Sequence, residues 1–116
     1  MKIYYYPSCS TCKKAMKWLD NNNFIYEKEH IVEAGLTRKE IENIYKKSKL
    51  DIKKFFNTSG NVYKELNLKD KLPEMNENDK LELLASDGML LKRPILIENN
   101  KIIIGFKEDD YKEKLL

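Results

Sequence analysis

The sequence predicts an α/β fold, and three features of its 116 residues lead to this prediction. A segment rich in β-forming residues, "KIYYY", opens the chain and precedes a helical pattern and a second strand pattern. Two more strand-like segments, "PILIE" and "KIIIG", lie near the C-terminus with only two residues between them. The stretch between these two halves has helical periodicity. Strands at both ends and helices between them predict one mixed sheet covered by helices.

The N-terminal half predicts a strand, a helix and a second strand parallel to the first. Pro7 ends the first strand, because proline cannot donate to a strand ladder. Apolar residues then recur at helical spacing from Cys12 to Leu19, with lysines on the other face. We therefore expect a helix from about Ser10 to the "DNNN" segment. The alternating segment "FIYEKE" completes a β-α-β unit.

The C-terminal half predicts an antiparallel hairpin followed by a terminal helix. Asn99 and Asn100 form the two-residue connection, which is typical of a tight hairpin turn. The closing segment "KEDDYKEKLL" has its acidic residues first and most of its lysines later. This order matches the helix dipole, so the last segment is expected to be helical.

The middle of the chain carries the start and stop signals of several helices. Thr37 and Glu40 have the spacing of a capping box at a helix start. A later helix is expected to begin at Asn76 and to stop at Gly88. Between them, "DIKKFFNTSGNVYKELNL" predicts two short helices that break near residues 59–60.

The predicted order βαβ, helices, ββα is that of a thioredoxin-like fold with a helical subdomain inserted between its halves. The insertion is expected to run from about residue 32 to residue 90. It is too short and too closely tethered at both ends to be an independent domain. Residues 1–116 are therefore expected to form a single domain.

Composition and charge exclude several classes of function. The 22 basic and 19 acidic side chains are interspersed and leave a net charge of +3, so no large field of one sign and no direct nucleic-acid binding are expected. No apolar run approaches the length of a membrane span, and no secretory signal opens the chain. We therefore expect a cytoplasmic protein whose two cysteines act reversibly, since the cytosol keeps thiols reduced.

The two cysteines of the chain, Cys9 and Cys12, form a C-x-x-C motif where the first strand turns into the first helix. The unpaired N–H groups and the dipole of this helix stabilise a thiolate on Cys9. One helical turn brings the second sulfur close to the first. Cys9 is therefore the expected nucleophile and Cys12 the expected resolving thiol of a redox-active pair.

Two other interpretations of this pair remain open. A zinc site is one, but a closed site usually needs four ligands and the chain offers only one histidine, His30, beside the cysteines. The other is that both cysteines are small core residues, because free cysteine is often a buried hydrophobe. The strand-turn-helix context favours thiol chemistry over both.

The segment "KRPIL" is the second candidate part of the site. An X-Pro bond at the entrance of a strand is a candidate cis peptide, and in thioredoxin-like folds such a proline faces the active cysteine. Pro94 occupies this place in the predicted topology, and Arg93 would then approach Cys9 and pair with an oxyanion or a thiolate. The alternative is that Arg93 is a solvated side chain beside a strand.

Three residues of the turn after Cys9 are candidates for binding an anionic substrate. Ser10, Thr11 and Lys13 lie at the expected N-terminus of the helix, where donors to an anion collect. For Lys13, a solvated side chain is an equally good interpretation.

Four segments, "YYYPSCSTCKKAMKWL", "FFNTSGNVYKELNL", "LLASDGMLLKRPIL" and "IIIGFKEDDY", resemble the arsenate reductase (ArsC)/Spx family along essentially the whole chain. The resemblance implies that Cys9 corresponds to the cysteine that attacks arsenate and Arg93 to one of the arginines that hold the oxyanion. Two further arginines of the reductases correspond to Asn57 and Phe106, and a histidine to Tyr5. Losing two guanidinium groups removes charge-assisted bonds worth about 1.5–3 kcal/mol each.

The resemblance therefore implies an ArsC-like thiol-disulfide oxidoreductase with no metal, nucleotide or flavin. Its thiol donor would be glutathione, glutaredoxin or thioredoxin. The alternative it implies is an Spx-like regulator in which the cysteine pair is an oxidation switch and the partner is the α subunit of RNA polymerase. In the Spx-like regulators, a glycine that contacts the polymerase corresponds to Asp51 of this sequence.

Overall fold

A computed structural model describes all 116 residues as a four-stranded mixed sheet with helices on both faces. The strands and α-helices follow in the order β1 Lys2–Tyr5, α1 Ser10–Asn21, β2 Glu27–His30, α2 Arg38–Ser48, α3 Asn61–Glu65, α4 Leu68–Lys71, α5 Glu77–Ser86, β3 Ile95–Glu98, β4 Lys101–Ile104 and α6 Glu108–Leu115. Short 3-10 turns lie at Ile52–Phe55, Leu72–Glu74 and Gly88–Leu90. None of the helices combines the length and the apolar composition that a membrane span requires.

The strands lie in the order β2-β1-β3-β4, with β1 parallel to β2 and antiparallel to β3, and with β3 antiparallel to β4. This confirms the thioredoxin-like fold class, the parallel first pair and the C-terminal hairpin. Asn99 adopts a positive φ of 55° in the hairpin turn, a conformation that asparagine tolerates better than most residues.

Strand β2 begins later than the apolar segment "FIYEKE" predicts. It starts at Glu27, because that residue pairs with Lys2, where β1 itself begins. The aromatic residues before it are held by side-chain contacts: Phe24 stacks on Trp18, and the Tyr26 hydroxyl donates to Asp20. These contacts belong to a loop and not to the sheet.

Consecutive residues of β1, β3 and β4 point to opposite faces of the sheet, and each face has its own apolar cluster. Ile3, Leu96 and Ile103 pack with α1 and α6 on one face. On the other face, Tyr4, Ile95 and Ile102 contribute to a cluster of 17 buried residues supplied largely by the insertion. The helical insertion thus covers a sheet face that would otherwise be open to solvent.

The insertion follows the start signals of the sequence closely. The Thr37 side chain accepts from the Glu40 N–H, and the Glu40 carboxylate accepts from the Thr37 N–H, so the capping box is formed. Asn76 caps α5 as predicted. Helix α5 ends before Gly88, which has no positive φ and instead allows a close approach: a Cβ at this glycine would lie 2.9 Å from the Cα of Val32.

Candidate functional site

Cys9 lies at the N-terminus of α1, where the chain turns from β1 through Pro7 into the helix. It is the N-cap residue, with extended backbone, and its Sγ accepts the N–H of Cys12 at 3.3 Å. The side chain is partly exposed and the thiol is free. The Cys9 sulfur is therefore accessible and has one of the unpaired N–H groups of the helix directed at it.

Cys12 lies one turn further along α1 and is completely buried. Burial, the largest cause, and then hydrogen bonding to Cys9 raise the pKa of the Cys12 thiol to about 12; the Tyr6 backbone opposes them, the charge on Cys9 adds to them, and Arg93 opposes them least. At neutral pH Cys12 is consequently a protonated thiol that solvent does not reach. The pair combines one accessible and one protected sulfur.

Arg93 precedes β3, and the Arg93–Pro94 peptide bond is cis. The guanidinium is fixed from two sides. Its Nη1 donates to the carbonyl oxygens of Met89 at 3.3 Å and Leu91 at 3.4 Å, and its Cζ lies 4.9 Å from the centre of the Tyr6 ring. Such a cation–π contact is worth about 0.5–2 kcal/mol, depending on desolvation. Arg93 is thus a partly buried, held side chain and not a freely solvated one.

Tyr6 is a residue of this site that the sequence analysis missed. Its ring lies between Arg93 and His30, whose imidazole packs edge-on at 5.3 Å. His30 Nδ1 accepts the N–H groups of Val32 and Glu33, so this histidine holds the turn after β2. The available signal was the position of Tyr6 immediately before Pro7, at the end of the strand that presents the cysteine motif.

A cleft of about 810 Å³ opens beside Cys9. Of the residues predicted to bind substrate, Ser10 and Thr11 line it, together with Arg93. Lys13 is exposed and does not line the cleft. Pro94 is buried and does not line it either; its carbonyl accepts the N–H of Gly105 at 2.8 Å, which joins the start of β3 to the end of β4.

The two positions that correspond to reductase arginines, Asn57 and Phe106, also line this cleft. Phe106 packs edge-on against Tyr111 with ring centres 4.7 Å apart. Asn57 accepts from the Ser59 hydroxyl and lies so close to Gly60 that a Cβ there would be 2.7 Å from Asn57 Nδ2. The cleft therefore has one guanidinium, an amide and an aromatic ring at these three places.

No group of three or more histidine, cysteine, aspartate or glutamate side chains converges where it could hold a metal ion. The cleft beside the cysteine pair supplies hydroxyl, amide, ammonium and guanidinium groups and a single carboxylate, that of Asp110. What this arrangement can do chemically is thiol exchange, because an accessible sulfur and a second sulfur lie on consecutive turns of one helix.

Comparison with known proteins gives one family. The model of the ArsC family matches residues 4–114. The uncharacterized protein YusI of Bacillus subtilis is 51% identical over 97% of this chain and 96% of its own length, and the regulatory protein MgsR of the same species is 35% identical over 91% and 82%. The solution NMR structure of SACOL0876 from Staphylococcus aureus superposes with a TM-score of 0.89 at 48% identity, covering 98% of this chain and 97% of that one. The chain belongs to the ArsC family.

Proposed function

We propose that this protein is a thiol-disulfide oxidoreductase of the ArsC-like type, with Cys9 as nucleophile and Cys12 as resolving thiol. The observation that carries the proposal is the pairing of a partly exposed Cys9 sulfur, in a cleft with Arg93, with a buried Cys12 one turn away. Family membership supports it, because Cys9 corresponds by resemblance to the catalytic cysteine of the reductases.

The proposed cycle begins when the Cys9 thiolate attacks one sulfur of a substrate disulfide. A mixed disulfide forms on Cys9, and the first half of the substrate leaves as a thiolate. Cys12 then attacks the Cys9 sulfur, loses its proton to water and releases the second half, so the substrate gains the two electrons that the cysteine pair loses. A thiol donor, namely glutathione, glutaredoxin or thioredoxin, reduces the Cys9–Cys12 disulfide again.

The raised pKa of Cys12 fits its role as the second nucleophile. Two of its causes, hydrogen bonding to Cys9 and the charge on Cys9, disappear when Cys9 enters the mixed disulfide. The positive charge of Arg93 remains and continues to favour the Cys12 thiolate. Formation of the mixed disulfide thus lowers the barrier to ionising Cys12 in part, while its burial, the largest cause of the raised pKa, remains.

The remaining predicted residues have supporting roles in this proposal. Ser10 and Thr11 donate to an anionic substrate at the helix N-terminus, and the buried Pro94 supports Arg93 from behind the cleft lining. Lys13 adds positive potential from outside the cleft. The chain acts as one domain in the cytoplasm, where thiol donors maintain the cycle, and needs no metal or other cofactor.

The direct test is the reduction of hydroxyethyl disulfide in the presence of each thiol donor. The rate is measured as the consumption of NADPH by the reductase that regenerates that donor. Cys9→Ser is expected to abolish turnover, whereas Cys12→Ser is expected to accumulate the mixed disulfide on Cys9, visible by mass spectrometry. Turnover that survives Cys9→Ser would refute the assignment. The same donors with arsenate are expected to give little product, since Asn57 and Phe106 supply no guanidinium.

A second candidate function is redox-switched regulation through the α subunit of RNA polymerase. The similarity to the regulatory protein MgsR favours it specifically. Capture of this chain by the α C-terminal domain, in one redox state of the cysteine pair and not in the other, would support the regulator. Turnover of a disulfide without such capture would support the enzyme.

A further inference from the structure

The cleft beside Cys9 gathers positive charge from several parts of the fold. Its lining contains one acidic residue, Asp110, and five basic ones: Lys54, Lys92, Arg93, Lys107 and Lys114. The cleft thus holds five of the 22 basic side chains of the protein and one of the 19 acidic ones. This small part of the surface accounts for the net positive charge of the whole chain.

None of these five cations takes part in an ion pair within 4.0 Å; the ion pairs of the structure all lie elsewhere. The four lysines are also exposed. Their charge is therefore not neutralised by direct ion pairing and is available to a bound molecule. The even spread of charges along the sequence predicts no field of one sign, and that expectation does not hold at the cleft.

The cations come from three separate elements that surround the cysteine. Lys54 belongs to the 3-10 turn at Ile52–Phe55 in the insertion, and Lys107 is the N-cap residue of α6. Lys92 lies in the segment that leads into β3, immediately before Arg93. Because the cations lie on different elements around Cys9, they can contact a bound substrate from several directions. The cleft volume of about 810 Å³ lies in the range of sites that enclose whole small molecules, about 300–1,000 Å³, and exceeds the needs of one tetrahedral oxyanion.

We infer that the substrate of this site is an anionic disulfide, one that carries carboxylates or similar groups on both sides of its sulfur–sulfur bond. This inference rests on the proposed function and specifies the charge of its substrate. The lysines attract the carboxylates and hold the disulfide across the cleft, while Cys9 attacks the nearer sulfur. The exchange proceeds by the same balanced steps, with each departing half leaving as an anionic thiolate.

The test compares three small disulfides of similar size and different charge: dithiodipropionate, a dianion; hydroxyethyl disulfide, which is neutral; and cystamine, a dication. The second-order rate of Cys9 oxidation is measured for each by mass spectrometry. Each rate is divided by that of dithiothreitol with the same disulfide, which removes differences in intrinsic reactivity. At low ionic strength the normalised rate for the dianion is expected to exceed that for the dication by about tenfold or more.

Two controls locate the effect in the cleft. Raising the salt to about 1 M shortens the Debye length to about 3 Å and is expected to remove most of the preference. Lys54→Gln and Lys107→Gln are each expected to lower the dianion rate by a larger factor than the neutral rate. Lys39→Gln, which makes the same charge change at an exposed lysine outside the cleft, is expected to change neither rate.

The possible outcomes separate the two proposals. Equal normalised rates for all three disulfides would overturn the inference and leave the oxidoreductase intact. An equal effect of Lys39→Gln and the two cleft variants would also overturn it, because net charge alone would then explain the preference. Failure of Cys9 to react with any of the three would overturn the proposed function, and the inference with it.

Discussion

The two cysteines of the motif are expected to differ strongly in their reactivity toward iodoacetamide. Only the thiolate form of cysteine reacts. A thiol with the Cys12 pKa of about 12 is ionised in about one molecule in 10,000 at pH 8, whereas an ordinary value of 9.0 gives about one in ten. Ionisation alone therefore slows Cys12 about 1,000-fold, and its complete burial slows it further.

The assay is labelling of the reduced protein at pH 8, with peptide mass spectrometry at each time point. Cys9 is expected to be labelled fully while Cys12 is not. The control is the same reaction in denaturant, where the two cysteines should react at similar rates. Cys9→Ser is expected to leave Cys12 protected, because burial, the largest cause of its raised pKa, remains.

A folded protein in which Cys12 reacts within about tenfold of Cys9 would refute this reasoning. It would mean that the first turn of α1 opens often enough to expose the second sulfur, or that burial does not hold its proton. Either result would remove the distinction between an attacking and a protected thiol on which the proposed cycle depends.

Three further changes test the surroundings of the site. Tyr6→Leu removes the ring under Arg93 and is expected to slow disulfide exchange at Cys9 several-fold, while Tyr6→Phe keeps the ring and the rate; an equal loss in both variants would assign the effect to the hydroxyl. Tyr111→Phe removes a fully buried hydroxyl that has no hydrogen-bond partner, so urea unfolding is expected to show a gain of about 1–3 kcal/mol. A loss of stability would show instead that the hydroxyl is paired. Gly88→Ala places a Cβ 2.9 Å from the Val32 backbone and is expected to cost about 1–3 kcal/mol by the same assay, and an unchanged midpoint would contradict the close contact.

Features of the fold that depend on neighbouring residues are predictable from the sequence. The capping box of Thr37 and Glu40 and the Asn99–Asn100 hairpin turn are formed as expected, because the groups that bond lie within a few residues of each other. The beginning of β2 is not predictable in this way. It depends on pairing with β1, and the adjacent apolar Ile25 is left 94% exposed in the loop.

The candidate site divides in the same manner. The spacing of Cys9 and Cys12 on one helical turn follows from the motif, and the cis peptide before Pro94 follows from the topology. The contact of Tyr6 with Arg93 does not, because more than 80 residues separate them and only the pairing of β1 with β3 brings them together.

The sequence by itself determined the βαβ and ββα halves, the helical insertion and the pair of sulfurs at a helix mouth, since these depend on periodicity, caps and local spacing. Only the tertiary structure decided which charges surround Cys9. Lys54, Lys92 and Lys107 are widely separated along the chain, yet they line one cleft. The physical reason is that the insertion packs on one face of the sheet and α6 packs on the other. Both contribute residues to the cleft that contains Cys9.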